Sequence, residues 1–220
     1  MTHLEAELTQ LKESIGEMLV LTQSQVKKSK VAFLDFDKDI AQEIIHNEKR
    51  MNALELSIDR ECENICALFQ PVATDLRFVI SMMKINSDLE RVGDYADSIA
   101  DYVIDLKKPL KEEAILKTNV GTMFDITSDM LTDIATAINN EDTSLARKVY
   151  KKDADLNEIN MNASHIIKDF IIQDTDNVRP LLFLFSIIRK LERVGDHIKN
   201  IAEELIFYME ALVLKHKKLK

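Results

Sequence analysis

The hexapeptide LERVGD occurs twice, at Leu89–Asp94 and again at Leu191–Asp196, and this repetition constrains the fold more than any other feature. The same shift of 102 residues lays Arg77, Ile99 and Ala100 on Arg179, Ile201 and Ala202. A shift of 105 residues lays KESIGEMLVLT (Lys12–Thr22) on KTNVGTMFDIT (Lys117–Thr127), with Lys, Gly, Met and Thr coinciding. It also sets Ala41 on Ala146 and Asn52 on Asn157. The glycines therefore pair off, Gly16 with Gly121 and Gly93 with Gly195. Self-similarity at a fixed offset means that one supersecondary unit is used twice.

That unit is helical. The 220 residues contain only 4 Gly and 3 Pro, no Trp and 6% aromatic residues, and the 30% that are charged are interleaved with Leu, Ile, Ala and Met. Such usage belongs to long helices rather than sheet. Pro71 and Pro180 stand where a third helix begins in each half, a position that tolerates proline, and Pro109 separates the halves. The polar clusters DFDKD (Asp35–Asp39) and NNEDTS (Asn139–Ser144) supply turns and N-caps. The pattern predicts helices over 4–34, 38–69, 74–107, 112–138, 143–173 and 178–214. The fold class expected is all-α: two tandem, internally repeated three-helix bundles, six long helices in all, with residues 1–108 in the first and 109–220 in the second.

The third helix of each half shows its buried face directly. Val79, Met82, Ile85, Leu89, Val92, Gly93, Ala96, Ile99, Ala100 and Val103 recur at three- and four-residue steps, an amphipathic stripe. Leu181, Leu184, Ile187, Leu191, Val194, Gly195, Ile198, Ile201, Ala202 and Leu205 repeat it. Glycine inside a helix costs about 1 kcal/mol relative to alanine. Its place in the stripe implies close approach by another helix backbone, a role also expected of Gly16 and Gly121. The run PLLFLFSII (Pro180–Ile188) is apolar on more than one side through Leu182 and Phe185, as are Ile80 and Met83. This predicts packing between the halves or across a homodimer.

Beside the stripe runs a line of acids. At about 100° per residue, Glu90, Asp94, Asp97 and Asp101 align, and the second helix carries Glu48, Asn52, Glu55 and Asp59. If the two helices are antiparallel neighbours, the lines border one groove. The second half offers Asp153, Asn157, Glu192 and Asp196, but has Lys199 where the first has Asp97, and Asn160 and Ser164 where it has Glu55 and Asp59. Carboxylate and amide oxygens suit hard cations such as Mg, Mn, Ca or Fe. The competing reading is a solvated acidic face balanced by Arg91 and Arg193.

Other classes of function find little support. A net charge of -9 is wrong for a phosphate backbone, so no nucleic-acid partner is expected, and the short basic tail KHKKLK (Lys215–Lys220) reads as a solvated end. The longest apolar run is too short for a bilayer and the start, MTHLEAELTQ, lacks the order of a signal peptide, which predicts a cytoplasmic protein without membrane insertion. Cys62 and Cys66 read as reduced core residues. Di-iron bundles need two Glu-x-x-His motifs. Only Glu43–His46 fits, and His46, His165 and His197 read as surface residues, with His46 and His197 near enough to the acids to assist. No phosphate loop or nucleophile–base pair is evident, so no enzyme is expected.

The segments QPVATDLRFVISMMKINSDLERVGDYADSIA (Gln70–Ala100), LERVGDHIKNIAE (Leu191–Glu203) and NEKRMNALELSIDRECENI (Asn47–Ile65) resemble the PhoU family of phosphate-signalling regulators. The resemblance covers nearly the whole chain. It implies paired three-helix bundles, often dimeric, with multinuclear sites for divalent or trivalent metal ions (Fe, Mn, Mg or Zn) on Glu/Asp-x-x-x-Asp motifs. Glu90 with Asp94 and Glu192 with Asp196 match that motif, whereas Glu48 with Asn52 and Asp153 with Asn157 end in an amide. The resemblance further implies no catalytic turnover. Its members contact the ATPase subunit of a phosphate ABC transporter and a sensor histidine kinase, and so keep phosphate-starvation genes repressed. The alternative is a helical-bundle protein for metal storage or metal-dependent oxidation, unrelated to phosphate.

Overall fold

The computed structural model describes residues 2–214, so the tail Lys215–Lys220 lies outside the described residues. Among the described residues seven α-helices run in the order α1 (His3–Leu34), α2 (Lys38–Phe69), α3 (Ala73–Asp105), α4 (Glu112–Thr118), α5 (Val120–Asn140), α6 (Thr143–Gln173) and α7 (Val178–Glu210), with a 3₁₀ turn at Thr175–Asn177. No strand occurs among the described residues. Helices α1, α2 and α3 pack on one another, as do α5, α6 and α7, with α4 set against α5 and α6. The two halves meet along α3–α7 and α1–α5, and their buried side chains form one continuous cluster.

The ends are capped as the polar clusters predict. Asp37 accepts the amides of Asp39 and Ile40 at the start of α2, and Asp142 accepts that of Ser144 at the start of α6. Thr2 and Glu5 close a reciprocal capping box on α1. One expected helix is broken: the span 112–138 divides at Asn119, which sits at φ 54°. Asparagine tolerates this left-handed conformation better than most residues. The last helix also stops earlier than expected, at Glu210, where Ala211 turns left-handed.

Left-handed positions fall to Phe36, Gln70, Ala73, Asn119, Glu141 and Ala211, and no glycine has a positive φ. Backbone conformation therefore does not require glycine at any of the four positions; at two of them the missing Cβ does. A Cβ on Gly93 would stand 2.1 Å from Met51 Cε and 2.4 Å from its sulfur; one on Gly195 would stand 2.4 Å from Leu156 Cδ1. The approach is made by a side chain of the second helix, not by its backbone as the sequence suggests. Gly16 and Gly121 do not share the role. Nothing lies within 4 Å of a Cβ on Gly16, and only Leu34 Cδ1, at 4.0 Å, approaches one on Gly121.

The stripes on α3 and α7 are buried throughout, with Cys62 in the core and Cys66 half-buried, both free thiols. Burial, reinforced by Asp59, pushes the Cys62 thiol up to about 12. Phe183 stacks on Tyr102 across the halves at 4.8 Å between ring centroids, while Phe185 and Met83 are half-buried. Leu182 remains 49% and Ile80 39% exposed in the single chain.

Substitution separates the two kinds of glycine. Gly93→Ala displaces the end of Met51, an overpacking that offsets the roughly 1 kcal/mol of helix propensity alanine brings, so it should not stabilise. Gly16→Ala meets open space and should add about 0.5–1 kcal/mol of stability. Urea denaturation checks both, and Met51→Ala should cost less in the Gly93→Ala background than in the natural protein, because the two sites share one space.

Candidate metal-binding site

Met51 on α2 sits over Gly93 on α3, in the space a Cβ would occupy, and the two helices pack along their length. The two acidic lines then face each other. Glu48 lies within electrostatic reach of Asp97, and Glu55 of both Glu90 and Asp94. The amide of Asn52 donates to Glu48 Oε1 at 2.7 Å, leaving its own Oδ1 buried without a partner, and Asp97 Oδ1 is likewise unpartnered. At one end of the groove Asn86, fully buried on α3, donates to the Glu55 carbonyl and to Asp59 Oδ1, both at 3.0 Å. Sequence reasoning missed Asn86. Its signal was a polar residue in the apolar stripe where the other half has Ile188.

Burial and neighbouring like charge both favour the protonated form of these acids. Burial, then Asp94 and Glu55, lifts the Glu90 carboxyl to about 7. Burial, then Asp101, Glu48 and Asp94, lifts Asp97 to about 6. Glu55 is raised by burial and by Asp59. Arg91 offers weak relief, reaching Glu90 at 3.7 Å and Asp94 at 3.6 Å while largely exposed. A carboxylate-rich groove with two orphaned buried oxygens fits a hard cation by donor chemistry. Among the described residues no three Asp, Glu, His or Cys side chains already gather into a cage, so the oxygens line the groove without converging.

The second face is built from the equivalent positions and differs. Asp153 on α6 is buried, with only 6% exposed. Its Oδ2 accepts Lys199 Nζ at 2.7 Å and the Asn157 amide at 3.3 Å. Lys199 also donates to Asp196 Oδ1 at 2.9 Å, and Arg193 to Asp196 Oδ2 at 3.0 Å. Glu192, on the same face, is raised mainly by burial and next by Asp196. Lys199 and Arg193 thus tie up Asp153 and Asp196, although Asp153 Oδ1 stays buried without a partner.

The histidines divide. His46 and His165 are exposed, as expected. His197 is not a surface residue beside the acids: its Nδ1 pairs with Asp88 Oδ1 at 2.7 Å in the α3–α7 contact, where the side chain is 18% exposed.

A family model described as the PhoU domain matches the chain twice, over residues 15–103 and 120–205. The chain belongs to the PhoU family. It is 34% identical over 216 residues to the phosphate-specific transport system accessory protein PhoU homolog of Aquifex aeolicus, covering 97% of this chain and 96% of that protein. The crystal structure of the phosphate transport system regulatory protein PhoU from Streptococcus pneumoniae superposes with a TM-score of 0.86 at 30% identity, over 96% of this chain and 99% of that one. That of PhoU from Pseudomonas aeruginosa gives 0.87 at 29% identity, over 94% and 99%. The two PhoU domains coincide with the two repeats in the sequence.

The raised acids give metal-free protein a distinctive pH dependence. Glu90 and Asp97 hold protons more tightly folded than unfolded, so their contribution to stability is full below their ordinary values of 4.5 and 3.8. It is lost as pH rises through about 6 to 7. Chelator-treated protein should therefore melt at a lower temperature at pH 8 than at pH 5.5, and Glu90→Gln with Asp97→Asn should flatten the difference. A melting temperature that rises over this interval would contradict the crowding.

Proposed function

We propose that the chain is a cytoplasmic negative regulator of phosphate uptake and of phosphate-starvation signalling. It acts by binding the ATPase subunit of a phosphate ABC transporter and its sensor histidine kinase, without turnover of its own. The observation that carries this reading is similarity along both repeats, over 97% of the chain, to a protein named as a phosphate-specific transport system accessory protein. Among the described residues no helix is long and apolar enough to cross a membrane, so engagement with a transporter would be through protein surfaces.

Metal belongs to the same proposal. Glu48, Asn52, Glu90 and Asp94, with Glu55 and Asp97, would hold divalent or trivalent ions such as Fe, Mn, Mg or Zn on the first face. A cation there would neutralise the crowded carboxylates and tie α2 to α3. The residues at the corresponding positions of the second face are Asp153, Asn157, Glu192 and Asp196. The working unit in this reading is a homodimer, which would cover apolar side chains such as Leu182 and Ile80.

A metal-storage or oxidase bundle is the competing class, and it needs paired histidines among inward-facing carboxylates. Here His46 and His165 face solvent and His197 is engaged with Asp88.

Deleting the gene is expected to derepress high-affinity phosphate uptake and phosphatase expression in phosphate-rich medium. Purified protein should capture the transporter ATPase or the kinase from phosphate-replete cells. Normal repression in the deletion strain, or metal-dependent oxidase turnover by the purified protein, would transfer support to the competing class.

A further inference from the structure

The two acidic faces place opposite charges at one equivalent position. In the first half Asp97 faces Glu48 and Asp94. In the second the residue 102 positions later is Lys199, whose ammonium lies 2.7 Å from Asp153 and 2.9 Å from Asp196, the counterparts of Glu48 and Asp94. Replacing a carboxylate by an ammonium changes the local charge by two units, the charge a divalent cation would bring.

The surroundings complete the substitution. Asp153 Oδ2 is filled by Lys199 and Asn157, while its Oδ1 is buried without a partner, 3.4 Å from the Cβ position of Gly195. Asp196 is bonded through both oxygens, to Lys199 and to Arg193. The neutral Asn160 and Ser164 stand where the first half has Glu55 and Asp59. A metal entering here would have to displace the ammonium and then sit beside it.

We infer that Lys199 is a built-in cation that closes the second face to metal, so that the chain is asymmetric: its first face responds to metal and its second is permanently neutralised. The contrast between halves rests on the metal reading of the first face; the closure of the second rests on Lys199 alone. It follows that the second bundle keeps its α6–α7 contact regardless of metal supply.

Titration of the full-length, chelator-treated protein with Mn²⁺, followed by isothermal calorimetry and by melting temperature, tests this. In the natural protein, Glu90→Gln with Asp94→Asn should weaken Mn²⁺ binding at least tenfold, and Asp196→Asn should leave it unchanged. Lys199→Asp should add a class of Mn²⁺ sites that Asp196→Asn then removes. Lys199→Met, a milder change should the aspartate variant fail to fold, should melt lower in chelator and recover when Mn²⁺ is added. Loss of Mn²⁺ from the natural protein on Asp196→Asn overturns the inference, as do folded Lys199 variants that gain neither binding nor rescue. If the natural protein binds no Mn²⁺ but Lys199→Asp gains it, the metal reading of the first face fails while the closure by Lys199 stands.

Discussion

A side chain from the second helix of each half rests in the space left by a glycine in the third. Met51 does so over Gly93 and Leu156 over Gly195. A Cβ at either position would force the tip of that side chain out of its seat, and in a close-packed interior the displaced atoms must find room elsewhere. The chain spends these glycines in mid-helix, where each costs about 1 kcal/mol. Its left-handed turns fall to residues such as Gln70 and Glu141. Close packing on one side of α3 is what brings Glu48 and Glu55 to Asp97 and Glu90 beside it.

On one scaffold, the two halves treat their acids differently. The first leaves its acids crowded, with Glu90 lifted to about 7 by burial and then by Asp94, and with Arg91 mostly in solvent. The second pairs its acids internally through Lys199 and Arg193. Between them, α3 and α7 join the halves by polar and aromatic contacts: His197 with Asp88, Lys84 with Glu204, and Lys190 over Tyr95 and Tyr102. Such contacts give direction as well as adhesion, since each donor must find its acceptor.

Much of this was legible in the residues. The periodic stripe on α3 matches its buried face, and α2 spans the residues its caps predict, because apolar spacing and capping are local signals. The facing of the acidic lines was legible only conditionally, since it depends on α2 and α3 being antiparallel neighbours. Other features depend on the neighbour across the gap and left no local trace. That Gly93 receives Met51 while Gly16 meets open space could not be read from two identical letters. Buried polar residues also escaped: Gln25, which donates to the Ile44 carbonyl at 3.0 Å, and Asn86 both occupy positions where periodicity favours apolar side chains. Asn119 broke an otherwise helical pattern through backbone conformation alone.

If the seat over Gly93 sets the α2–α3 spacing that forms the acidic groove, the ionisation of Glu90 reports on it directly. Carbon-detected NMR titration of chelator-treated protein should place the Glu90 carboxyl near 7. In folded Gly93→Val, where α2 is held away from α3, it should move down toward its ordinary value of 4.5 as burial and the Glu55 charge recede. A Glu90 midpoint near 4.5 in the natural protein, or one unmoved in the folded variant, would contradict the account.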